Sequence, residues 1–461
     1  MHNDTHNPHL RSWVESANDP STDFPIQNLP LCSMLKEHDG HAHAHYGVAI
    51  GDQILDLSTL WEANAFPRPA EESGVDEQLV EDLARAMEYP HWMGIIDRPD
   101  LLALVRRDVQ HFLLDGPAGG QQARRLRQRA LVPMNSVQLL PPVSLLNYTD
   151  FYASLHHAST VGAMFRPDNP LLPNYKHVPI GYHGRASSIV VSGTPIRRPS
   201  GQQSPPDDNP AAGPTFGPCK LLDYELEVGC VIGRGNQMGE PISIANARHH
   251  MLGLVLVNDW SARDVQKWEY QPLGPFLAKN FATSISPFVV TMEALEPFRC
   301  PGWSRAAGDP QPLDYLSSRE DQDSGGFDIT LEVWLRSAQM AEKNLPAVRL
   351  SHGSFREMYW TFAQMIAHHT SNGCNFQEGD LIASGTVSGP DAESRGCLLE
   401  RTWDGIDPAT KKPRPRKPID LPTGEKRTFL ADGDTVILRG FCEREGFRRI
   451  GFGECAGTIT T

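Results

Sequence analysis

Apolar and polar positions along the chain change their period twice, and each change predicts a different kind of element. From Tyr46 the run YGVAIGDQILDLSTL reads as two short strands joined by a turn at Gly51-Asp52. Residues 71–115 then take a helical period in VDEQLVEDLARAM and PDLLALVRRDVQHFLL, and QQARRLRQRAL continues as a basic helical stretch. The Pro141-Pro142 pair marks a boundary. Beyond it the apolar runs are short, β-rich and punctuated by Gly and Pro: SSIVVSGTPI, LEVGCVIG, LGLVLVNDW, SPFVVTM, FDITLEVWL and DTVILRGF. Strands do not alternate regularly with helices, so the pattern predicts a strand-dominated domain of about 300 residues rather than a TIM or Rossmann layout. One clear helix interrupts it, MYWTFAQMIAHHTSNG, ending near Asn372-Gly373. Residues 1–23 read as a flexible tail, and 197–216 and 403–424 as loops, the latter carrying the basic run KKPRPRK.

Composition narrows the class. At 461 residues the chain suits about two to three domains with a large core. A hydrophobic share of 39% and a charged share of 21% are those of a globular protein. The formal charge of −14 disfavours nonspecific binding to nucleic acid or anionic membrane, yet leaves room for an acidic substrate in a local cationic pocket. The polar N-terminus lacks the apolar core of a signal peptide, and no run approaches the ~18 apolar residues of a membrane span. Cys32, Cys219, Cys230, Cys300, Cys374, Cys397, Cys442 and Cys455 lie far apart without a CxxC pair. Scattered thiols suit a reducing compartment, and the cytoplasm is the expected location.

Three segments could carry chemistry. In LLDYELEVGCVIG, Asp223, Glu225 and Glu227 alternate with Leu222, Tyr224, Leu226 and Val228, which on a strand puts three carboxylates on one face. Such oxygen ligands suit a hard divalent cation such as Ca²⁺ or Mg²⁺. The same alternation also describes a surface strand with a solvated acidic face. In LGLVLVNDWSARDVQKWEY a buried apolar strand ends at Asn258-Asp259, with Asp259 placed to cap the following turn. If the next segment is helical, Asp259, Arg263 and Gln266 share a face, either as an anion or oxyanion site or as a cap with an ordinary salt bridge. The third segment, NYTDFYASLHHASTVGAMFRPDNPLLPNYKHVPIGYHGRASS, gathers Asp150, Tyr152, His156, His157, Arg166, Tyr182, His183 and Arg185 without a regular hydrophobic period. It reads as a binding loop in which a histidine could be a general base, although any one histidine is more often structural.

Two further histidine groups are set aside. HDGHAHAH, with His38, His41, His43 and His45, lacks cysteine or carboxylate partners in sequence and reads as a solvated segment beside a loop. His368 and His369 fall in the last turn of a helix, where they complement its dipole.

The runs NDWSARDVQKWEYQPLGPF, LLDYELE and GYHGRASS, with GDLIASGTVSGP and RIGFGECAGTI, resemble the fumarylacetoacetate hydrolase family over nearly the whole chain from residue 24. The resemblance implies a mainly β fold with some α. A small N-terminal SH3-like β-barrel with a helical extension (24–141) would precede a mixed β-roll catalytic domain (142–461), assembled as a homodimer. It implies Ca²⁺ held by Asp150, Glu225, Glu227 and Asp259, and Mg²⁺ near Asp259, Lys279 and Thr283. Asp223 has no ligand role in that match and is left to support the strand. The catalytic histidine falls on His157, oriented by Glu400. Arg263, Gln266 and Lys279 become oxyanion donors, and Tyr152, Arg166, Tyr182, Gln266, Tyr270 and Thr386 substrate contacts. The implied reaction is hydrolysis of the carbon–carbon bond of fumarylacetoacetate to fumarate and acetoacetate, the last step of tyrosine and phenylalanine breakdown, with His-activated water attacking a Ca-chelated β-diketone. The tail, the His-rich insert and the KKPRPRK loop look like elaborations away from these motifs. The competing readings are an acylpyruvate hydrolase or β-keto-acid decarboxylase on the same scaffold, and a metal-stabilised dicarboxylate sensor that needs no base.

Overall fold

The computed structural model describes residues 3–38, 41–88, 91–116, 120–206, 209–410 and 412–461. The N-terminal part folds β1 (Leu31–His38), β2 (His41–Ile50), β3 (Gln53–Asp56), α1 (Leu57–Glu62), α2 (Glu77–Ala86), α3 (Pro99–Leu113), α4 (Gln121–Ala130), β4 (Leu131–Pro133) and β5 (Gln138–Leu140). Its strands form one antiparallel sheet in the order β4-β3-β2-β1-β5. The turn expected at Gly51-Asp52 joins β2 to β3, with Gly51 at φ 59°. The following LSTL is the start of α1 rather than strand, because Asp56 accepts from the amide of Thr59 and caps the helix.

Residues 3–23 differ from the expected flexible tail. Arg106 on α3 is buried and donates to Thr5 Oγ1 (2.9 Å), Asn28 O (2.7 Å) and Gln27 O (2.5 Å). Ser12 Oγ and Trp13 Nε1 donate to Leu113 O and Phe112 O at the end of α3. Polar residues that read as solvated in sequence are therefore spent on main-chain groups brought from elsewhere in the chain.

The second part contains β6 (Tyr148–Phe151), α5 (Leu155–Phe165), β7 (Gly181–Gly184), β8 (Ile189–Val191), β9 (Ile196–Arg197), β10 (Ser200–Gln203), β11 (Thr215–Pro218), β12 (Leu222–Asp223), β13 (Leu226–Ile232), β14 (Met251–Asp259), β15 (Ser261–Ala262) and α6 (Arg263–Glu269). There follow β16 (Thr283–Ile285), β17 (Val290–Thr291), β18 (Thr330–Arg336), β19 (Val348–Ser354), α7 (Phe362–Thr370), β20 (Leu381–Ala383), α8 (Leu398–Arg401), β21 (Thr435–Cys442) and β22 (Ile450–Thr460). Two larger sheets result, an eight-stranded one ordered β7-β6-β20-β13-β14-β16-β8 with β17 beside β14, and a five-stranded one ordered β19-β18-β21-β22-β9. The content is mixed α/β with strands predominant.

The apolar run of β14 follows from its position between two cores. Leu254 and Leu256 enter one cluster with β18, β21 and β22, while Val255 and Val257 enter another with Tyr46, Val48, Leu104 and Val109 of the N-terminal part. Alternation puts Val231 of β13 and Tyr148 of β6 on that second side as well. The 197–216 segment is not wholly a loop, since β10 and β11 pair across it. No helix among the described residues is long and apolar enough to cross a membrane, and all eight cysteines are free.

The His-rich segment also departs from expectation. His38's side chain, Asp39 and Gly40 lie outside the described residues, but His41 and His43 sit exposed on the regular hairpin strand β2. His45 Nδ1 lies 3.0 Å from the fully buried carboxylate of Asp56, which Lys36 Nζ also reaches at 2.9 Å. Its partners are distant in sequence, so composition alone could not reveal them. Burial would raise the Asp56 pKa, but His45 and Lys36 outweigh it and bring it from 3.8 to about 2. Its stabilising contribution is therefore complete above the unfolded value near 4 and disappears as pH falls through about 2. Asp56→Asn should cost on the order of 2 kcal/mol at neutral pH. Thermal unfolding of both proteins from pH 7 downward should show the difference shrinking below pH ~4.

Candidate active site

Four carboxylates meet at the ends of neighbouring strands of the eight-stranded sheet. Asp150 comes from β6, Glu227 from β13, Asp259 from the end of β14, and Glu225 from the break just before β13. β20 lies between β6 and β13, with Ala383 opposite both Asp150 and Gly229. Small residues continue after it, and Gly385 is required there: at φ 75°, a Cβ would meet Phe151 O at 2.2 Å. Each of the four acids offers an oxygen within 4.8 Å of the others, and all four are buried.

The acidic strand is not continuous, as its alternation had suggested. Asp223 Oδ1 accepts from Tyr224 N (2.9 Å) and Asn258 Oδ1 from Glu225 N (3.1 Å), so side chains replace ladder partners between β12 and β13. Asp259 does not cap the next helix: the N-cap of α6 is Ala262, without a side-chain cap. Instead its carboxylate accepts from Tyr182 OH (2.9 Å) and Thr283 Oγ1 (2.6 Å) and lies 3.1 Å from Lys279 Nζ.

Charge inside this cluster is uneven. Burial would raise the pKa of Glu225, but Lys279 at 2.5 Å and Arg263 NH1 at 2.7 Å hold it well below the usual range. Asp150 and Glu227 are pushed well above it, first by burial and then by neighbouring carboxylates. Asp150 Oδ1 and both oxygens of Glu227 have no hydrogen-bond partner among the described residues. Buried acceptor oxygens left over on two carboxylates of a cluster of four are ligands for a hard divalent cation, so the residues fit the Ca²⁺ or Mg²⁺ expected from sequence. Lys279, expected near a second cation with Thr283, has its ammonium committed to Glu225 and Asp259. An ammonium has no acceptor, so only main-chain oxygen of Lys279 could ligate a cation.

A second group lies beside the first. The segment from Asn147, expected to be a loop, forms β6, α5 and β7. Ser154 caps α5 by accepting from His157 N (3.2 Å). His157 Nδ1 is 2.6 Å from Glu400 Oε2, both residues being buried, whereas His156 points to Glu357 near the surface. Glu400 also accepts from Ser388 Oγ (2.7 Å) and Cys397 Sγ (3.2 Å). Burial would raise its pKa, but the His157 charge lowers it on balance. The imidazole's Nε2 is left for a substrate or water.

The remaining expected residues differ in how closely they join this group. Tyr152 stands edge-on to His157 at 5.3 Å. Gln266 Oε1 accepts from Arg263 NH1 (3.1 Å), leaving its amide nitrogen to donate. Thr386 is buried with its hydroxyl unpartnered among the described residues. Arg166 NH2 donates to Pro170 O (3.2 Å), and Tyr270 packs against Phe165 at 5.7 Å. On the other face of β6, Thr149 Oγ1 meets His183 Nδ1 (3.2 Å) and His369 Nε2 (3.0 Å). Burial lowers the His369 pKa to about 4, so it serves α7 as a neutral hydrogen-bonding group rather than a cation.

Sequence reasoning missed Ser388, Cys397 and Tyr148. Tyr148 is buried two residues before Asp150 on the same face, and its hydroxyl lacks a partner among the described residues. Alternation along β6 was the available signal for it; Ser388 and Cys397 had none. The 403–424 loop also reaches the site. Lys411 lies outside the described residues, but Arg416 NH1 donates to Leu399 O (2.7 Å) and Thr402 Oγ1 (3.0 Å) around the turn bearing Glu400. The basic run is therefore not wholly an elaboration away from the motifs.

Known proteins match both parts of the chain. The family description "Fumarylacetoacetase N-terminal" matches residues 27–142, and "Fumarylacetoacetate (FAA) hydrolase C-terminal" matches residues 147–460. The chain is 45% identical over 449 residues to the fumarylacetoacetase of Bos taurus, covering 97% of this chain and 98% of that one. It is 44% identical to the Homo sapiens fumarylacetoacetase with the same coverage. Identity to the Dictyostelium discoideum fumarylacetoacetase is 44% over 452 residues, 98% of each chain.

Chelator-treated protein should gain thermal stability when Ca²⁺ or Mg²⁺ is added, by about 2.7 kcal/mol at a hundredfold excess over Kd. Glu227→Gln should raise the cation-free midpoint by removing a carboxyl disfavoured first by burial and then by like charges, yet reduce the further gain from cation. Calorimetric scans with and without cation check both signs.

Proposed function

The chain belongs to the fumarylacetoacetate hydrolase family, and on that premise we propose that it hydrolyses the carbon–carbon bond of fumarylacetoacetate to give fumarate and acetoacetate. The observation that carries this reading is the buried His157–Glu400 pair set against a carboxylate cluster with unused oxygens. A binding protein would need the cluster but not the base.

Asp150, Glu225, Glu227 and Asp259 would hold the divalent cation, Ca²⁺ in this reading, with Mg²⁺ near Asp259, Thr283 and the main chain of Lys279. When bound, such a cation supplies Lewis-acid polarisation of a carbonyl oxygen and a counter-charge for an enolate. His157 Nε2 removes a proton from water as the hydroxyl adds to the carbonyl carbon, and Glu400 holds the tautomer and steadies the imidazolium. Arg263, Gln266 and Lys279 donate toward the tetrahedral oxyanion. Its collapse breaks the carbon–carbon bond, and the proton held at Nε2 returns to the departing carbon. Arg166 pairs with a substrate carboxylate, and Tyr152, Tyr182, Tyr270 and Thr386 orient the chain of the substrate. Burial pushes the phenols of Tyr152 and Tyr182 up, keeping them as neutral donors.

The reading extends to an SH3-like form for the N-terminal sheet, a β-roll for the catalytic part, a homodimer, a cytoplasmic location and a place at the end of tyrosine and phenylalanine breakdown. The family match over both parts of the chain supports these.

Purified protein should bleach the diketone absorbance of fumarylacetoacetate, lose that activity to a chelator, and regain it with Ca²⁺ or Mg²⁺. Folded, cation-loaded protein that leaves this substrate intact would overturn the proposal in favour of an acylpyruvate. His157→Ala should still fold and lower turnover by at least ~10²–10⁴-fold, with a lowered thermal midpoint because Glu400 loses its buried partner. A variant of near-normal rate would remove His157 from its role.

A further inference from the structure

We propose that Asp223 is a positioning residue for this reaction, a single buried carboxylate that holds Arg263 and the turn bearing Glu400 in one frame. The proposal rests on the His157–Glu400 reading above. Asp223 is fully buried and is not one of the four clustered acids. Its Oδ1 accepts from Leu398 N (2.8 Å) and Tyr224 N (2.9 Å), and its Oδ2 from Leu399 N (2.9 Å) and Arg263 Nε (3.0 Å). Four N–H groups thus converge on one charge, which makes each bond stronger and better directed than a neutral one.

Those four groups belong to three functional parts. Leu398 and Leu399 open the four-residue turn α8, whose third residue is Glu400. A turn that short does not hold itself, and its N-cap Cys397 makes no side-chain cap bond. Asp223 therefore does the capping from another strand, while Arg416 braces Leu399 O from behind. Arg263 is the second part, lying between Asp223 and Glu225. Tyr224 N is the third, and it fixes the break that brings Glu225 into the cluster. A shift of Asp223 would move the orienter of the base and the oxyanion donor together, without removing a cation ligand.

The test is a double-variant cycle on the full chain. Asp223→Asn replaces one acceptor oxygen by a donor facing N–H groups, so it breaks the frame at nearly constant volume. It should lower kcat by ~10–100-fold while KM and the Ca²⁺ titration midpoint each move less than ~3-fold, because the oxygen that remains still accepts from Tyr224 N and keeps Glu225 in place. In a Glu400→Gln background the same change should cost several-fold less than in the parent, because the part that passes through the Glu400 turn is already lost and only the part through Arg263 remains. An Asp223→Asn kcat within ~2-fold of the parent, or full multiplication of the two losses, overturns the proposal and leaves the dyad standing. A Glu400→Gln protein of parental rate overturns the dyad itself, and the proposal with it. If Asp223→Asn does not fold, Asp223→Ser, with room for a water, is read against the same cycle.

Discussion

Negative charge gathered out of water is the constraint on which the rest of this structure depends. Asp150, Asp223, Glu225, Glu227 and Asp259 are all buried near one end of a sheet, with Lys279 and Arg263 as the buried cations against them. Burying an ion without a partner is too costly for a protein of ordinary stability, so each acid must be paired, protonated or ligated. Glu225 and Asp223 are paired, Asp259 is hydrogen-bonded to Tyr182 and Thr283, and Asp150 and Glu227 retain unused oxygens. That inequality leaves the cluster with oxygens that could hold a cation.

Rigidity of the site comes from what surrounds it rather than from the site itself. β13 and β14 are buried on both faces, between the five-stranded sheet and the N-terminal part. Packing on two sides holds the strand ends that carry the carboxylates in one arrangement. Among the described residues, the N-terminal part contributes none to the carboxylate cluster or the His157–Glu400 pair. Through Val48, Leu104 and Val109 it closes the apolar face from which those carboxylates project further along.

The same logic explains the mixture of long and short elements. His157 and Glu400 lie 243 residues apart in sequence. They are carried by α5, which has its own Ser154 cap, and by α8, which borrows its cap from Asp223. One carrier is locally specified and the other is assembled only by the fold.

Much of this was legible beforehand, for definite reasons. The apolar run of β14, the helical period of α3 and the Gly51-Asp52 turn are short-range patterns, and short-range patterns survive into the structure. The carboxylate alternation was equally visible; likeness to a known family selected Glu225 and Glu227 from it and added Asp150 and Asp259 from two other segments. The strand break at Tyr224, the capping by Asp223, the packing of residues 3–23 and the pairing of His45 with Asp56 were not visible. Each depends on polar partners supplied from elsewhere in the fold, in some cases hundreds of residues away. Sequence by itself determined which residues could bear charge and which runs must be buried. Tertiary structure decided which charges would share a desolvated space, because hydrogen bonds and Coulomb attraction are set by distance in space and carry no period along the chain.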